Sequence, residues 1–426
     1  MLAPVPPATN VLQDWRDAVR LLRQNSTQLK SLRAQEDVQR AIARQALAPA
    51  LPSLGAQASV TRHLLRGERE FQTLSPQPPF LGTGTGTVPD PATTWQAGLN
   101  LRIPLLALST WYNRGTALQQ IEVTELNTKA AERVNAALVA DSIVGVVTAE
   151  RLAEVSRISL ESALSTLDLS KRRAALGAAS TIDVLRIEQE VSLSRSQVVS
   201  ANDGVLRARE NLGATLGSPE PWGVTPAIRV DALADDAKST CRPTDVLTRA
   251  DVRAAEASLG VSKRNEGGVS RTYWPTIDAV SSLTYWSPVS AINNEHVTWS
   301  VGGVLNWTLY DGGLRYATKE QRTAETRVFN EQLNEVKRRA RFEVIQAFRS
   351  VRSSEATLAV AAKTRELAAE TARLTKVSYV NGSATSFDLV DTARRLREAE
   401  LDYTIKEFNV LRAKIAALLA LSTCDV

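Results

Sequence analysis

The hydrophobic pattern of the chain changes between two periods. Segments at 53–62, 94–104, 275–286 and 297–308 alternate apolar with polar or small residues, which is typical of strands that have one apolar face. After the second strand and again after the fourth, about 65 residues pass without proline, and their apolar residues are spaced by three and four, as in long amphipathic helices. The pattern therefore predicts two strands followed by a very long helix, and predicts this order twice.

Two similar turns indicate that the chain is a tandem repeat. Leu176–Val184 resembles Asn381–Leu389, and each turn follows one long helix and precedes another. The predicted organisation is a first repeat over 1–217 with its turn at 177–183, a proline-rich linker over 218–241, and a second repeat over 242–426 with its turn at 382–388. The predicted fold class is α+β, with long antiparallel helical hairpins and four strands.

These elements do not form a closed fold within one chain. At about 1.5 Å per residue each long helix extends roughly 100 Å, too far to be covered by a core of this mass. Four strands cannot close a barrel, which needs about eight, and an open sheet leaves two unpaired edges. Copies of the chain arranged in a closed ring would solve both problems. The strands alone also permit a soluble antiparallel sheet with one buried face.

Composition removes several classes of function. The net charge of +5 comes from 51 basic and 46 acidic residues of scattered sign, so nucleic acid is a poor partner. Two histidines and two cysteines offer little for a catalytic or metal site, so no catalytic residue, metal or cofactor is predicted. The glycine–threonine run over 82–86 lacks the lysine and helix of a phosphate loop and is predicted to be a flexible loop. Residues 1–7 do not have the pattern of a secretory signal, and we take the numbering to begin at a mature chain.

Two motifs bring the pattern close to a known family. The stretch from Trp299 to Gly302 leads to Leu309–Gly313, and Tyr379–Gly382 leads to Phe387–Asp391. With the repeat, this resembles the TolC family of outer-membrane efflux proteins over nearly the whole chain. The resemblance implies a homotrimer in the outer membrane of a Gram-negative bacterium, surrounded by its lipid, with twelve strands in one transmembrane β-barrel and a helical α-barrel in the periplasm. A periplasmic adaptor and an inner-membrane pump would dock at its closed tip.

The function implied by the resemblance is a passive exit duct, not an enzyme. The alternative is a coiled-coil scaffold without transport activity, which would explain the helices but not the alternating strands. The resemblance places a periplasmic gate at Asp183, Tyr379, Asp388 and Asp391. It places adaptor docking at the small residues of the two tips, namely Gly177, Ala178, Ala179, Ser180, Gly382, Ser383, Ala384 and Thr385.

The gate residues also permit a simpler interpretation. Asp388 and Asp391 lie one helical turn apart at a helix start, where an aspartate favours the helix dipole by about 0.3–1 kcal/mol. In a closed trimer the pair would form a ring of like charges, which raises carboxyl pKa values and attracts cations. Asp183 is placed to bond across to the neighbouring hairpin, and Tyr379→Phe is expected to raise the resting conductance if the Tyr379 hydroxyl holds the closed state. Ala384 stands where the best-known family member has an arginine. The gate contact that this arginine makes is therefore not expected here.

The two cysteines lie at the ends of the second repeat. Cys241 opens it and Cys424 closes it, and both are expected near mid-height of the helical tunnel. An oxidising periplasm would permit a disulfide between them. Free thiols are the alternative, and the sequence does not decide between the two.

Overall fold

The structure is a computed structural model of the chain. It describes residues 3–64, 68–75, 82–89, 93–225, 241–243, 245–289, 295–420 and 422–424. The linker prediction over 218–241 lies mostly outside the described residues, and the division into two repeats and a linker stays a prediction.

Two helical hairpins dominate the fold. The helices are α1 (Trp15–Asn25), α2 (Thr27–Gln45), α3 (Leu108–Ala175), α4 (Thr181–Leu216), α5 (Ala250–Val269), α6 (Leu314–Val380) and α7 (Ser386–Ala420). Helices α3 and α6 contain no proline, so nothing removes a donor from their hydrogen-bond ladders over 68 and 67 residues. Each is followed by a short turn and a return helix, as the sequence predicts. No helix in the described ranges combines the length and the apolar character needed to cross a membrane.

In the part of the chain that the structure describes, the strands form one larger sheet and three small ones. In chain order they are β1 (Asn10–Leu12), β2 (Ser53–Arg62), β3 (Glu68–Ser75), β4 (Gly82–Pro89), β5 (Thr93–Leu106), β6 (Trp222–Val224), β7 (Cys241–Pro243), β8 (Thr276–Ser287), β9 (Val297–Asn306) and β10 (Ser422–Cys424). The larger sheet has the order β2-β5-β8-β9, with antiparallel neighbours throughout. The β5–β8 pair joins the first half of the chain to the second. Strands β2 and β9 are the edges of this sheet.

The register places the predicted apolar positions on one face. Leu99 of β5 lies opposite Ala56 of β2 and opposite Leu283 of β8, which in turn lies opposite Trp299 of β9. Directly opposite residues share a face, so these four residues form one row across the sheet. The same face continues through three more rows, made of Val60 with Trp95; Ala58, Ala97, Tyr285 and Val297; and Leu54, Leu101, Ser281 and Val301.

The other face of the sheet is mainly polar. One row runs through Gly55, Asn100, Ser282 and Ser300, and another through Gln57, Gly98, Thr284 and Thr298. Near one end, Nη2 of Arg102 lies 2.6 Å from Oδ2 of Asp278, whose side chain is buried. A single sheet therefore presents one apolar and one polar surface, as the alternating sequence predicts.

The prediction of a loop at the glycine–threonine run is wrong. Residues 82–89 form strand β4, which pairs antiparallel with β3 and places Gly86 opposite Phe71. Threonine favours a pleated backbone because of its branched Cβ, and glycine does not prevent pairing. The threonines of the run and its pairing with β3 favour a strand, although glycine alone does not indicate one.

By its internal contacts the chain divides into two units. One comprises Met1–Asp37, Glu122–Ser258 and Asn330–Val426, and the other comprises Val38–Ile121 and Leu259–Phe329. The first contains both helical turns, and the second contains the four-stranded sheet.

The core of the first unit lies around α1. Its buried side chains Trp15, Ala18 and Leu22 follow helical spacing and pack with the middle of α3 and the last turns of α4 and α7. The partners from these three helices include Val139, Ile143, Val144, Leu212, Leu216, Leu411, Ile415 and Leu419. This cluster fixes the C-terminal ends of both return helices against one long helix.

Candidate functional site

Each helical turn is built by local sequence. Gly177 and Gly382 have φ values of 75° and 82°, the left-handed conformation that glycine adopts without penalty. After the first glycine, the N–H of Ala178 donates to the carbonyl of Arg173 at 2.9 Å. After the second, the N–H of Ser383 donates to the carbonyl of Ser378 at 2.9 Å. Both turns are therefore Schellman motifs, which end α3 and α6.

The return helices begin with matching capping boxes. In the first, the N–H of Ser180 donates to Oδ2 of Asp183 at 3.0 Å, and the N–H of Asp183 donates to Oγ of Ser180 at 3.3 Å. In the second, Thr385 and Asp388 exchange the same bonds at 3.0 and 3.2 Å. Asp183 and Asp388 thus occupy the same position in the two turns and satisfy helix N-terminal donors.

A hydrogen bond connects the two turns through Asp183. The hydroxyl of Ser386, a buried residue at the start of α7, donates to Oδ1 of Asp183. This bond and those from Ser180 lower the pKa of Asp183 below its usual value, because hydrogen bonds stabilise the charged carboxylate. The expected bond from Asp183 to the other hairpin is therefore present within a single chain.

A second contact connects the turns at Tyr379. The side chain of Arg173, in the last turn of α3, donates to the carbonyl oxygen of Tyr379. Its guanidinium also lies 4.5 Å from the centre of the Tyr379 ring, within cation–π range. Tyr379 is 4% exposed, and among the described residues its hydroxyl has no hydrogen-bond partner. The contact therefore uses the ring and the main chain of Tyr379, and not the hydroxyl that we expected.

Asp388 and Asp391 lie on one face of α7 but have different partners. Asp388 accepts two hydrogen bonds from Thr385, one from the hydroxyl and one from the backbone N–H. Both bonds lower the pKa of Asp388, and the hydroxyl bond has the larger effect. Asp391 accepts hydrogen bonds from Arg395 at 2.8 Å and from Arg394 at 3.1 Å. Both bonds lower the pKa of Asp391, and the bond from Arg395 has the larger effect. Within one chain these bonds outweigh the repulsion that Asp391 exerts on Asp388, so the pKa of each carboxyl is lowered and both are stabilised as anions.

Further along the return helices, a buried ion pair joins α4 to α7. Arg397 of α7 donates to Glu190 of α4 and, at 3.3 Å, to Oγ of Ser194. The side chains of Arg397 and Glu190 are each 8% exposed. This pair lines a cavity of about 300 Å³ between α3, α4, α6 and α7. Sequence reasoning missed it because the two residues lie 207 positions apart.

The predicted docking residues lie at the tips of the hairpins. Gly177, Ala178, Ser180, Gly382, Ser383 and Thr385 are exposed, and Ala179 and Ala384 are half-buried. No atom lies within 4 Å of a Cβ built on either glycine. Two large apolar side chains flank them without cover, Leu176 at 83% exposure and Phe387 at 63%. The sequence analysis did not single out these two residues, although a leucine directly before a helix-ending glycine was a visible signal.

The pairing of two short strands determines where the backbone positions of the cysteines lie. Strand β10 pairs antiparallel with β7, and the register sets Cys424 directly opposite Cys241. Both lie in the first unit, away from the helical turns along the chain.

The fold defines a class of protein with a tandem repeat, in which pairs of antiparallel strands alternate with long helical hairpins. The family model described as outer membrane efflux protein matches residues 18–218 and 246–421. The chain belongs to this family.

Individual relatives are distant. The chain is 26% identical over 280 residues to nodulation protein T of Rhizobium leguminosarum bv. trifolii, covering 62% of this chain and 58% of that protein. It is 23% identical over 237 residues to fusaric acid resistance protein FusA of Burkholderia cepacia, covering 49% and 44%. The matched stretches thus span about half the length of these relatives. Crystal structures of CusC have been described in terms of folding and transmembrane channel formation. The CusC structure superposes with a TM-score of 0.79 at 16% identity, covering 98% of this chain and 96% of that one.

Proposed function

We propose that this protein is the outer-membrane channel of a tripartite efflux or secretion system. It would act as a homotrimer in the outer membrane of a Gram-negative bacterium, extend into the periplasm, and passively conduct substrates delivered by an inner-membrane pump through a periplasmic adaptor. The observation that carries the proposal is the apolar face of the four-stranded sheet, which is exposed in the single chain. Leu54, Trp299 and Val301 on that face are 71–75% exposed.

Exposed apolar surface of this extent needs a partner. A soluble monomer rarely leaves a large contiguous apolar patch uncovered, and edge strands β2 and β9 expose unpaired backbone groups. Edge-to-edge addition of two further copies would pair every edge and present one apolar band to lipid. The polar face, with Asn100 and Ser300, would then line the interior.

Neighbouring residues of strand β5 offer a matched test. Leu99 lies on the apolar face and Asn100 on the polar face, and both belong to the same stretch of paired strand. An arginine facing lipid at the bilayer midplane costs about 2–4 kcal/mol, whereas one facing a water-filled interior costs little. Leu99→Arg should therefore reduce the amount of trimer extracted from outer membranes, and Asn100→Arg should not. Equal tolerance of both substitutions would contradict the proposed orientation of the sheet.

The contacts between the two turns support a gate at the helical tip. We propose that the bond from Ser386 to Asp183 and the contact of Arg173 with Tyr379 hold the two hairpins of each protomer in the closed state. Opening would separate them when an adaptor docks. Asp388 and Asp391 would converge on the three-fold axis of the trimer and favour cations there.

The exposed tips support docking of the adaptor. Small residues around Gly177 and Gly382 leave room for a helical hairpin of the partner, and Leu176 and Phe387 offer apolar anchors beside them. Phe387→Glu should weaken co-purification with a candidate periplasmic adaptor. Val360→Glu is the matched control, since Val360 is 68% exposed but lies on α6 away from the turn. An equal effect of both substitutions would place docking elsewhere.

A further inference from the structure

The two cysteines of the chain are paired residues in the small sheet formed by β7 and β10. Pro243, Arg242 and Cys241 pair in order with Ser422, Thr423 and Cys424. Directly opposite residues of antiparallel strands have Cα atoms about 4.5–5.5 Å apart. A disulfide needs a Cα separation of about 4.4–6.8 Å. The backbone register therefore places Cys241 and Cys424 within the range that a disulfide requires.

Contacts beside the small sheet hold together the segments that carry its two strands. Arg249, six residues after Pro243 and 1% exposed, donates to the carbonyl oxygen of Ala420 at 3.3 Å. The same guanidinium is held by Asp251 at 2.6 Å and by Glu343 at 2.8 Å. The end of α7, directly before β10, is thus anchored to the segment that follows β7.

A second arginine strengthens the anchor. Arg133 of α3 donates to the carbonyl of Leu419 at 3.4 Å and lies 3.7 Å from Oδ2 of Asp251. Two arginines from different elements therefore bind the last carbonyls of α7, where cations are favoured by the helix dipole. Because Arg249, which is buried, and the partly exposed Arg133 both hold the end of α7, the pairing of the cysteines does not depend on three ladder pairs alone.

We propose that Cys241 and Cys424 form an intramolecular disulfide that closes the second repeat into a covalent ring. Two S–H bonds break and one S–S bond forms, and the two electrons and two protons pass to a protein dithiol–disulfide oxidant, whose disulfide is reduced to a dithiol. The proposal rests on the proposed periplasmic location, since the periplasm is oxidising and the cytosol is not. The bond holds together strands that are too short to be stable alone.

Thiol trapping on the full-length protein tests this proposal. The protein is extracted from outer membranes, denatured without reductant so that burial cannot hide a thiol, and treated with N-ethylmaleimide before intact-mass measurement. The expected result is no adduct without reductant and two adducts per chain after prior reduction. A peptide containing both cysteines should also appear in a non-reduced digest.

Two variants provide the controls. Cys424→Ser should acquire one adduct without reductant, which shows that Cys241 is reactive once its partner is removed. The double variant with both cysteines replaced by serine should acquire none under any condition. Adducts on the non-reduced wild-type chain, or a disulfide between chains, would overturn the proposal while leaving the channel intact. Recovery of the protein only from the cytosol would instead contradict the proposed location.

Discussion

In the proposed channel, the contact of Arg173 with Tyr379 should determine how firmly the resting state stays closed. Removing the guanidinium with Arg173→Ala loses a cation–π contact, worth about 0.5–2 kcal/mol. It also loses a charge-assisted hydrogen bond to the carbonyl oxygen of Tyr379, worth about 1.5–3 kcal/mol. Arg173 is half-buried, so we take a combined value of about 2 kcal/mol per protomer. Because 1.4 kcal/mol corresponds to a tenfold change, the closed arrangement should be disfavoured by about 30-fold in each protomer.

Planar-bilayer recordings of the purified trimer would measure this effect as resting conductance and open probability. Arg172→Ala is the matched control, since Arg172 pairs with Asp168 of its own helix and both side chains are well exposed. Tyr379→Phe should also leave the resting conductance unchanged, because the Tyr379 hydroxyl has no partner among the described residues. The reasoning would be refuted if Arg173→Ala behaved like Arg172→Ala, or if Tyr379→Phe alone opened the channel.

Three further outcomes follow from the tip geometry. The pKa of Asp183 is lowered, so its bond with Ser386 stabilises the tip fully above the ordinary carboxyl pKa, and this stabilisation is lost as the pH falls through the lowered pKa. The resting conductance should therefore rise only below about pH 4. Ser386→Ala should remove that pH dependence in bilayer recordings. Glu190→Ala should destabilise the tip by about 3–5 kcal/mol by leaving Arg397 buried without its anion; limited proteolysis would detect this, and a second substitution, Arg397→Met, should restore much of the resistance. Asp391→Asn should lower cation selectivity only modestly, because two arginines of its own helix already bind that carboxylate; a complete loss of selectivity would show that these ion pairs break in the trimer.

The sequence predicted elements whose signal is local. Alternation placed Leu99 and Trp299 on one sheet face, because a residue's face depends only on its parity along a paired strand. Gly177 and Gly382 marked the ends of the long helices, because a left-handed residue strongly favours glycine. Such features need no knowledge of distant segments.

The sequence did not predict contacts made across the repeats. Arg173 reaches a tyrosine that lies 206 positions away, and no spacing rule connects the two. The capping role of Asp388 could have been recognised from Thr385 three residues earlier, as in the first turn. The hairpin of β3 and β4 was not predicted, because the strand at 82–89 depends on its pairing with the segment Glu68–Ser75.

The assembly state of the protein extracted from outer membranes tests the central claim most directly. Mass photometry or native mass spectrometry in detergent should show a particle of three chains, each of 46.3 kDa. Three copies would pair the edges of the four-stranded sheet and leave its apolar face to the detergent. A monodisperse monomer that stays in solution without detergent would contradict the account, because the exposed apolar face and both sheet edges would then have no cover.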